Sequence, residues 1–320
     1  MLRQGPFNWL KPKNDFVLKW ILGSDNDQSK ELLLAFLNDF LYAPALQSFT
    51  SVEIVNPIIN KQSIYDKGSI LDIKAKVPGY GYVNIEMQLT NQKNMHKRSL
   101  YYASKLIGNQ LFASDGYSKL ERVVAINLLD FSFFPSTPYH SCFRLVEERL
   151  HEPFPDLLQL HFTEMPKFVR QDQAGKIPMN DRKAKWLRFF TNEDDTRWFE
   201  MAKQDPVMEQ MVESLRVASL DPEARELYEA RAKALMDLNS IRGEARQEGI
   251  EEGKKEGIKE GLKKGIKEGL KKGRKEGKRE ANRELAKKML RKGFEVSDII
   301  EMTELTETEI EKLMVEINTH

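Results

Sequence analysis

The chain has 320 residues, 50 basic against 49 acidic side chains, a formal net charge of +1 and a single cysteine, Cys142. One cysteine excludes an internal disulfide framework and a zinc site built on a cysteine cluster, and suits a reducing compartment. No apolar h-region stands in the first twenty residues, and the apolar stretch near 123–134 is broken by Asn127 and Asp130, so neither a secretory signal nor a bilayer span is read. A cytoplasmic protein with no membrane partner is expected.

The first elements read as two helices, because Phe16 and Trp20, then Leu33, Phe36, Leu37, Phe40 and Leu41, recur at three and four residues. Gly23-Ser24-Asp25-Asn26-Asp27 separates them. Two alternating runs follow. Leu71, Ile73, Ala75 and Val77 interleave with Asp72, Lys74 and Lys76; Val83, Ile85, Met87 and Leu89 interleave with Tyr82, Asn84, Glu86 and Gln88. Period-two alternation around Pro78-Gly79-Tyr80-Gly81 predicts a β-hairpin. A helical pattern through Leu100, Ala103, Leu106, Ile107 and Leu111 comes next, and then a strand over 123–129 buried on both faces. Strands near 143–146 and 157–162 and a helical stretch over 181–239 complete an α/β domain with a mixed sheet.

The hairpin carries the chemistry. One face of each strand is apolar; the other presents Asp72 and Lys74, then Asn84, Glu86 and Gln88. For both carboxylates to share a face, the loop must hold an odd number of residues, three or five, for example in a turn closed by Gly79 or Gly81 in a left-handed conformation. Asp72 then faces Glu86 with Cβ atoms about 5 Å apart. Two carboxylates that close repel unless a cation lies between them or one is protonated. Magnesium favours such a pair, completed by waters and a phosphate. On pattern alone, a solvated polar face remains the alternative.

Ser69-Ile70-Leu71-Asp72-Ile73, Asn84-Ile85-Glu86-Met87-Gln88 and Arg98-Ser99-Leu100-Tyr101-Tyr102, in this order and spacing, resemble the recombination-promoting nuclease family, the PD-(D/E)XK nuclease family transposases. Asn14-Asp15-Phe16-Val17-Leu18-Lys19 and Tyr228-Glu229-Ala230-Arg231 fit the same pattern. The resemblance implies a restriction-endonuclease-like core, a mixed sheet flanked by helices, that cleaves DNA with magnesium or, in its place, manganese. Carried over, Asp72 and Glu86 become the metal-binding carboxylates, and the carbonyl of Met87 a third ligand. Gln88 stands in the usual lysine position. Its amide orients water but carries no charge, so Lys74, with Lys67 second, is the candidate cation.

On the following helix Arg98, Tyr101, Tyr102 and Lys105 form one stripe, with donors for a phosphate backbone. Packing of the tyrosines on the sheet is the alternative. The five histidines show no HxH or HExxH spacing. Cys142 reads as a buried small hydrophobe, and Asp130 as a strand-end residue.

Composition changes after residue 240. Ten of the 18 glycines lie between Gly243 and Gly293, and positions 249–280 carry a local net charge of +5. The chain is therefore divided into a nuclease-like domain (1–240), a Gly/Lys/Glu repeat (241–283) and a small helical unit (284–320). Glycine recurs every fourth residue from Gly249 to Gly277. In an isolated helix these eight glycines cost about 8 kcal/mol. Close packing against another helix, giving a homo-oligomer through the tail, is set against a flexible basic linker on DNA and a slippage-generated repeat with no role. In the last unit Thr306 and Glu309 predict a capping box in a helix-turn-helix-like shape, whose acidic end favours protein contact over groove reading. The functional expectation is a DNA endonuclease of low sequence specificity, promoting recombination. The alternative is an oligomeric DNA-binding scaffold of the same fold without catalysis; a full transposase ranks last.

Overall fold

The computed structural model describes residues 7–41, 47–55, 73–91, 93–136, 138–154 and 156–318. Two compact units emerge, Met1–Leu238 and Asn239–His320.

The first unit opens with α1 (Asp15–Gly23) and α2 (Asp27–Phe40), each started by an asparagine cap: Asn14 accepts from the Phe16 N–H and Asn26 from the Ser29 N–H. Strands β1 (Glu53–Ile54), β2 (Ile73–Val77) and β3 (Gly81–Gln88) precede α3 (Met95–Gly108). β4 (Arg122–Leu129), β5 (His140–Arg144) and β6 (Leu158–Glu164) follow, then α4 (Met165–Gln173), α5 (Arg182–Thr191), α6 (Asp195–Ala202) and α7 (Pro206–Leu220). Among the described residues six strands form one sheet in the order β1-β2-β3-β4-β6-β5. β3, β4 and β6 run parallel; β1, β2 and β5 are antiparallel to their neighbours. The sheet is mixed, as expected.

β4 lies at its centre and is buried from Val123 to Leu129, which explains an apolar run without alternation. One face packs Ile73, Ala75, Val83, Ile85, Val124 and Ile126 into the main core with α1, α2, α5 and α7. α3 covers the other face, where Ala103 meets Val123 and Ala125. The apolar alternation of the hairpin therefore points to the first face and its polar alternation to α3.

The helical stretch over 181–239 is not continuous. Asp181, Asp194, Asp205 and Asp221 each accept an N–H of the turn that follows and start a new helix. Cys142 differs from its expectation as well: it lies exposed on edge strand β5, with its Sγ 3.5 Å from His161 Nε2. Asp39 of α2, buried, accepts from Arg182 Nε and Trp186 Nε1 at 2.8 and 2.9 Å and pairs with Lys185, tying α2 to α5. Asp15 and Arg231, from the first and last sequence motifs, form another buried ion pair.

The repeat is helical within α8 (Pro222–Arg291). Among the described residues nothing comes within 4 Å of a Cβ built on Gly257, Gly265 or Gly273. In the second unit Gly293, at φ +81°, ends α8, and the Phe294 N–H donates to Met289 O at 3.3 Å. α9 (Val296–Thr303) and α10 (Glu307–Asn318) close on α8 through Ala286, Met289, Ile299, Leu305, Ile310 and Leu313. Glu309 reaches back to the Thr306 N–H at 3.0 Å, as the capping box requires.

Candidate active site

The site is built on the hairpin. β2 pairs with β3 so that Ile73 opposes Ile85, Lys74 opposes Asn84 and Val77 opposes Gly81, leaving a three-residue loop. The loop is closed by the Tyr80 N–H donating to Val77 O at 3.1 Å. Gly79 and Gly81 have φ of +72° and +134°. Gly81 is required for a second reason: a Cβ there would lie 2.2 Å from Arg122 O, because β4 runs alongside.

Tyr82, Asn84, Glu86 and Gln88 occupy the face toward α3. Glu86 is 3% exposed, and its Oε1 accepts from Arg98 Nη2 at 2.8 Å and from Gln88 Nε2. A buried carboxylate needs such donors, because removing it from water otherwise costs several kcal/mol. The helix is seated beside this pair: Asn127, opposite Glu86 on β4, donates to Ser99 Oγ and to His161 O, each at 2.9 Å. Asn84 Oδ1 is buried with no hydrogen-bond partner among the described residues.

The remaining predicted residues fall as follows. Lys74 is half-buried opposite Asn84. The Met87 side chain is in the main core. Tyr101 and Lys105 are exposed on α3; Tyr102 is half-buried, with its ring 5.4 Å from that of Tyr101. The Arg98 guanidinium lies 5.7 Å from the Tyr102 ring and is engaged by Glu86, whereas the sequence stripe aims it at a phosphate backbone. Asp130 follows β4, its N–H donating to Gln88 O at 2.9 Å and its carboxylate 3.3 Å from Lys13. Asp72 and Lys67 lie outside the described residues.

Among the described residues no group of three or more His, Cys, Asp or Glu side chains is arranged to hold a metal. What this face does offer is hard oxygen: the Glu86 carboxylate and the unsatisfied Asn84 amide oxygen. That donor chemistry fits magnesium or manganese and not a thiophilic ion.

Two histidines meet although no sequence motif joins them. His140 and His161 stack with ring centroids 5.3 Å apart, and His140 Nε2 meets His161 Nδ1 at 3.1 Å. Burial pushes them down to about 4 and about 3, with Lys183 adding to the effect on both. Both are neutral near pH 7. No sequence signal marks them: they meet because β5 pairs with β6 at the edge of the sheet, which no HxH spacing encodes.

Three acids of the second unit pair with the end of α8. Glu304 pairs with Lys278 at 2.7 Å, Glu309 with Arg279, and Glu316 with Arg283 and Lys287 at 3.4 and 3.2 Å. Arg279 and the Thr306 N–H hold Glu309 down to about 2, the backbone bond contributing most.

A family model described as PD-(D/E)XK nuclease family transposase matches residues 12–245. A second, described as the C-terminal HTH domain of the Rpn/YhgA-like nuclease family, matches residues 279–315. No curated protein and no solved structure matches the chain.

Proposed function

The chain belongs to the PD-(D/E)XK nuclease family transposases, and we propose that it is a magnesium-dependent DNA endonuclease of low sequence specificity whose cuts promote recombination. The observation that carries this reading is the hairpin register. Every described pair of β2 and β3 keeps the polar residues on the α3 face. In the proposed site Asp72 of the sequence motif is the partner of Glu86; Asp72 itself lies outside the described residues.

In this reading Asp72, Glu86 and the carbonyl of Met87 hold the divalent cation, magnesium or manganese. When bound, the cation supplies neutralisation of the scissile phosphate and activation of the attacking water. Gln88 orients that water through its amide, and Lys74, across from Asn84, adds positive charge beside the reacting phosphate. Tyr101 and Lys105, exposed on α3, engage the DNA backbone and position it without reading bases.

The C-terminal unit supports the same partner, since a helix-turn-helix is a DNA-binding class. Three of the acids that turned the sequence reading toward protein contact, Glu304, Glu309 and Glu316, are paired with Lys278, Arg279, Arg283 and Lys287. Self-association is proposed for the repeat, where Ile258, Leu262, Ile266 and Leu270 stay exposed beside the glycine stripe. Among the described residues no helix is long and apolar enough to cross a membrane, and a cytoplasmic site of action is part of the proposal.

The test is a supercoiled plasmid incubated with the full chain, with magnesium or with a chelator. Nicked and linear DNA in the magnesium arm alone supports the endonuclease. DNA binding that falls steeply with salt but yields no product supports the inactive scaffold instead.

A further inference from the structure

We propose that Arg98 is a displaceable counter-ion of Glu86: it holds the carboxylate while no divalent cation is bound, yields it to the cation, and remains at the site as the positive charge that Gln88 does not supply. This inference rests on the nuclease reading above.

Three observations carry it. First, Arg98 and the entering cation have the same target, because Arg98 Nη2 is 2.8 Å from Glu86 Oε1. Within this pair the Glu86 side chain is 3% exposed and the Arg98 side chain 20%, so the guanidinium is the partner nearer water. Second, exchange needs only a side chain to move. α3 is anchored by the bond between Asn127 and Ser99 and by the buried Met95 and Ala103. In the paired state the Tyr102 ring already lies 5.7 Å from the guanidinium carbon, an attractive π face that can keep the charge near the site once Glu86 is released.

Third, the charges favour the exchange. In the free site one guanidinium offsets the buried carboxylate. With a divalent cation on the carboxylates, a guanidinium in direct contact with Glu86 would be redundant and repelled, whereas one turned toward an incoming phosphate is attracted. Arg98 thus joins Lys74 in supplying the charge that Gln88 lacks.

Calorimetric titration of the full chain with magnesium and with calcium, without DNA, tests the exchange. Wild type, Arg98→Gln, Arg98→Lys and Glu86→Gln are compared, with circular dichroism to verify folding. Arg98→Gln should bind the cation roughly tenfold more tightly than wild type, because no guanidinium has to be displaced, while nicking of plasmid falls. Its melting temperature should rise more on adding calcium than that of wild type. Arg98→Lys, which keeps a point charge, should bind within about threefold of wild type and keep part of the nicking. Equal or weaker cation binding by a folded Arg98→Gln protein, with wild type binding normally, overturns the counter-ion role and leaves the nuclease reading standing. Should Arg98→Gln not fold, cation binding by Arg98→Lys that is weakened tenfold would overturn it equally. If neither wild type nor Arg98→Gln takes up a cation, or Glu86→Gln binds as well as wild type, the metal reading fails and the inference with it.

Discussion

Arg98 Nη2 donates to Glu86 Oε1 at 2.8 Å, an ion pair that joins α3 to β3 at the polar face of the sheet. Two substitutions of Glu86 separate loss of its charge from loss of its hydrogen bond. Glu86→Gln keeps an oxygen for the guanidinium and should melt within a few degrees of wild type. Glu86→Ala leaves Arg98 without this partner at a largely buried position, and should cost about 2–3 kcal/mol in denaturant titration. Equal stability of the two variants would mean that the pair contributes nothing to folding.

Asp39 predicts a larger loss. Its buried carboxylate serves Arg182, Lys185 and the Trp186 indole together. Asp39→Ala should destabilise the chain by about 3–5 kcal/mol, because three donors lose a shared buried acceptor, although Lys185 keeps Asp205. Urea unfolding followed by tryptophan fluorescence measures it.

The two glycines of the hairpin separate strain from collision. Both have positive φ, but a Cβ on Gly79 meets nothing within 4 Å whereas one on Gly81 meets the Arg122 carbonyl oxygen. Gly79→Ala should cost about 1–2 kcal/mol, the left-handed penalty alone. Gly81→Ala should cost clearly more, since β3 and β4 must part to admit the methyl group. Their difference in midpoint denaturant concentration is the readout.

The histidine pair sets an acid limit. His140 and His161 are held below their ordinary value by burial, to about 4 and about 3. In the unfolded chain they take up protons near pH 6.5. The unfolded state therefore binds more protons between about pH 6.5 and 4, and stability falls as pH is lowered through that window. His140 faces Lys183 and Asp181; His161 faces His140, Lys183 and Arg144. Melting temperatures from pH 7 to pH 4.5 should decline less steeply in His161→Gln than in wild type.

Much of this architecture is legible from local pattern. The hairpin register follows from the alternation of Asp72–Val77 and Tyr82–Gln88 together with the need for an odd loop, and the structure gives a loop of three residues. The buried run of β4 and the capping box at Thr306 and Glu309 are equally local. What escaped reading depends on distant partners or on edges. Asp-Pro at 205–206 and at 221–222 marks helix starts inside a stretch whose apolar period alone looks continuous. Cys142 is exposed because β5 has a neighbour on one side only, which composition does not reveal. Arg98 carries the phosphate-binding signature of a helix stripe, yet its guanidinium is claimed by a carboxylate from another element.

The hairpin account stands or falls on plasmid nicking by Asp72→Asn and Glu86→Gln proteins beside wild type, in magnesium, at matched concentrations and with folding verified by circular dichroism. The account predicts that each single substitution lowers nicking by at least about a hundredfold while DNA binding in the absence of magnesium is kept. Undiminished nicking by both folded variants would contradict it.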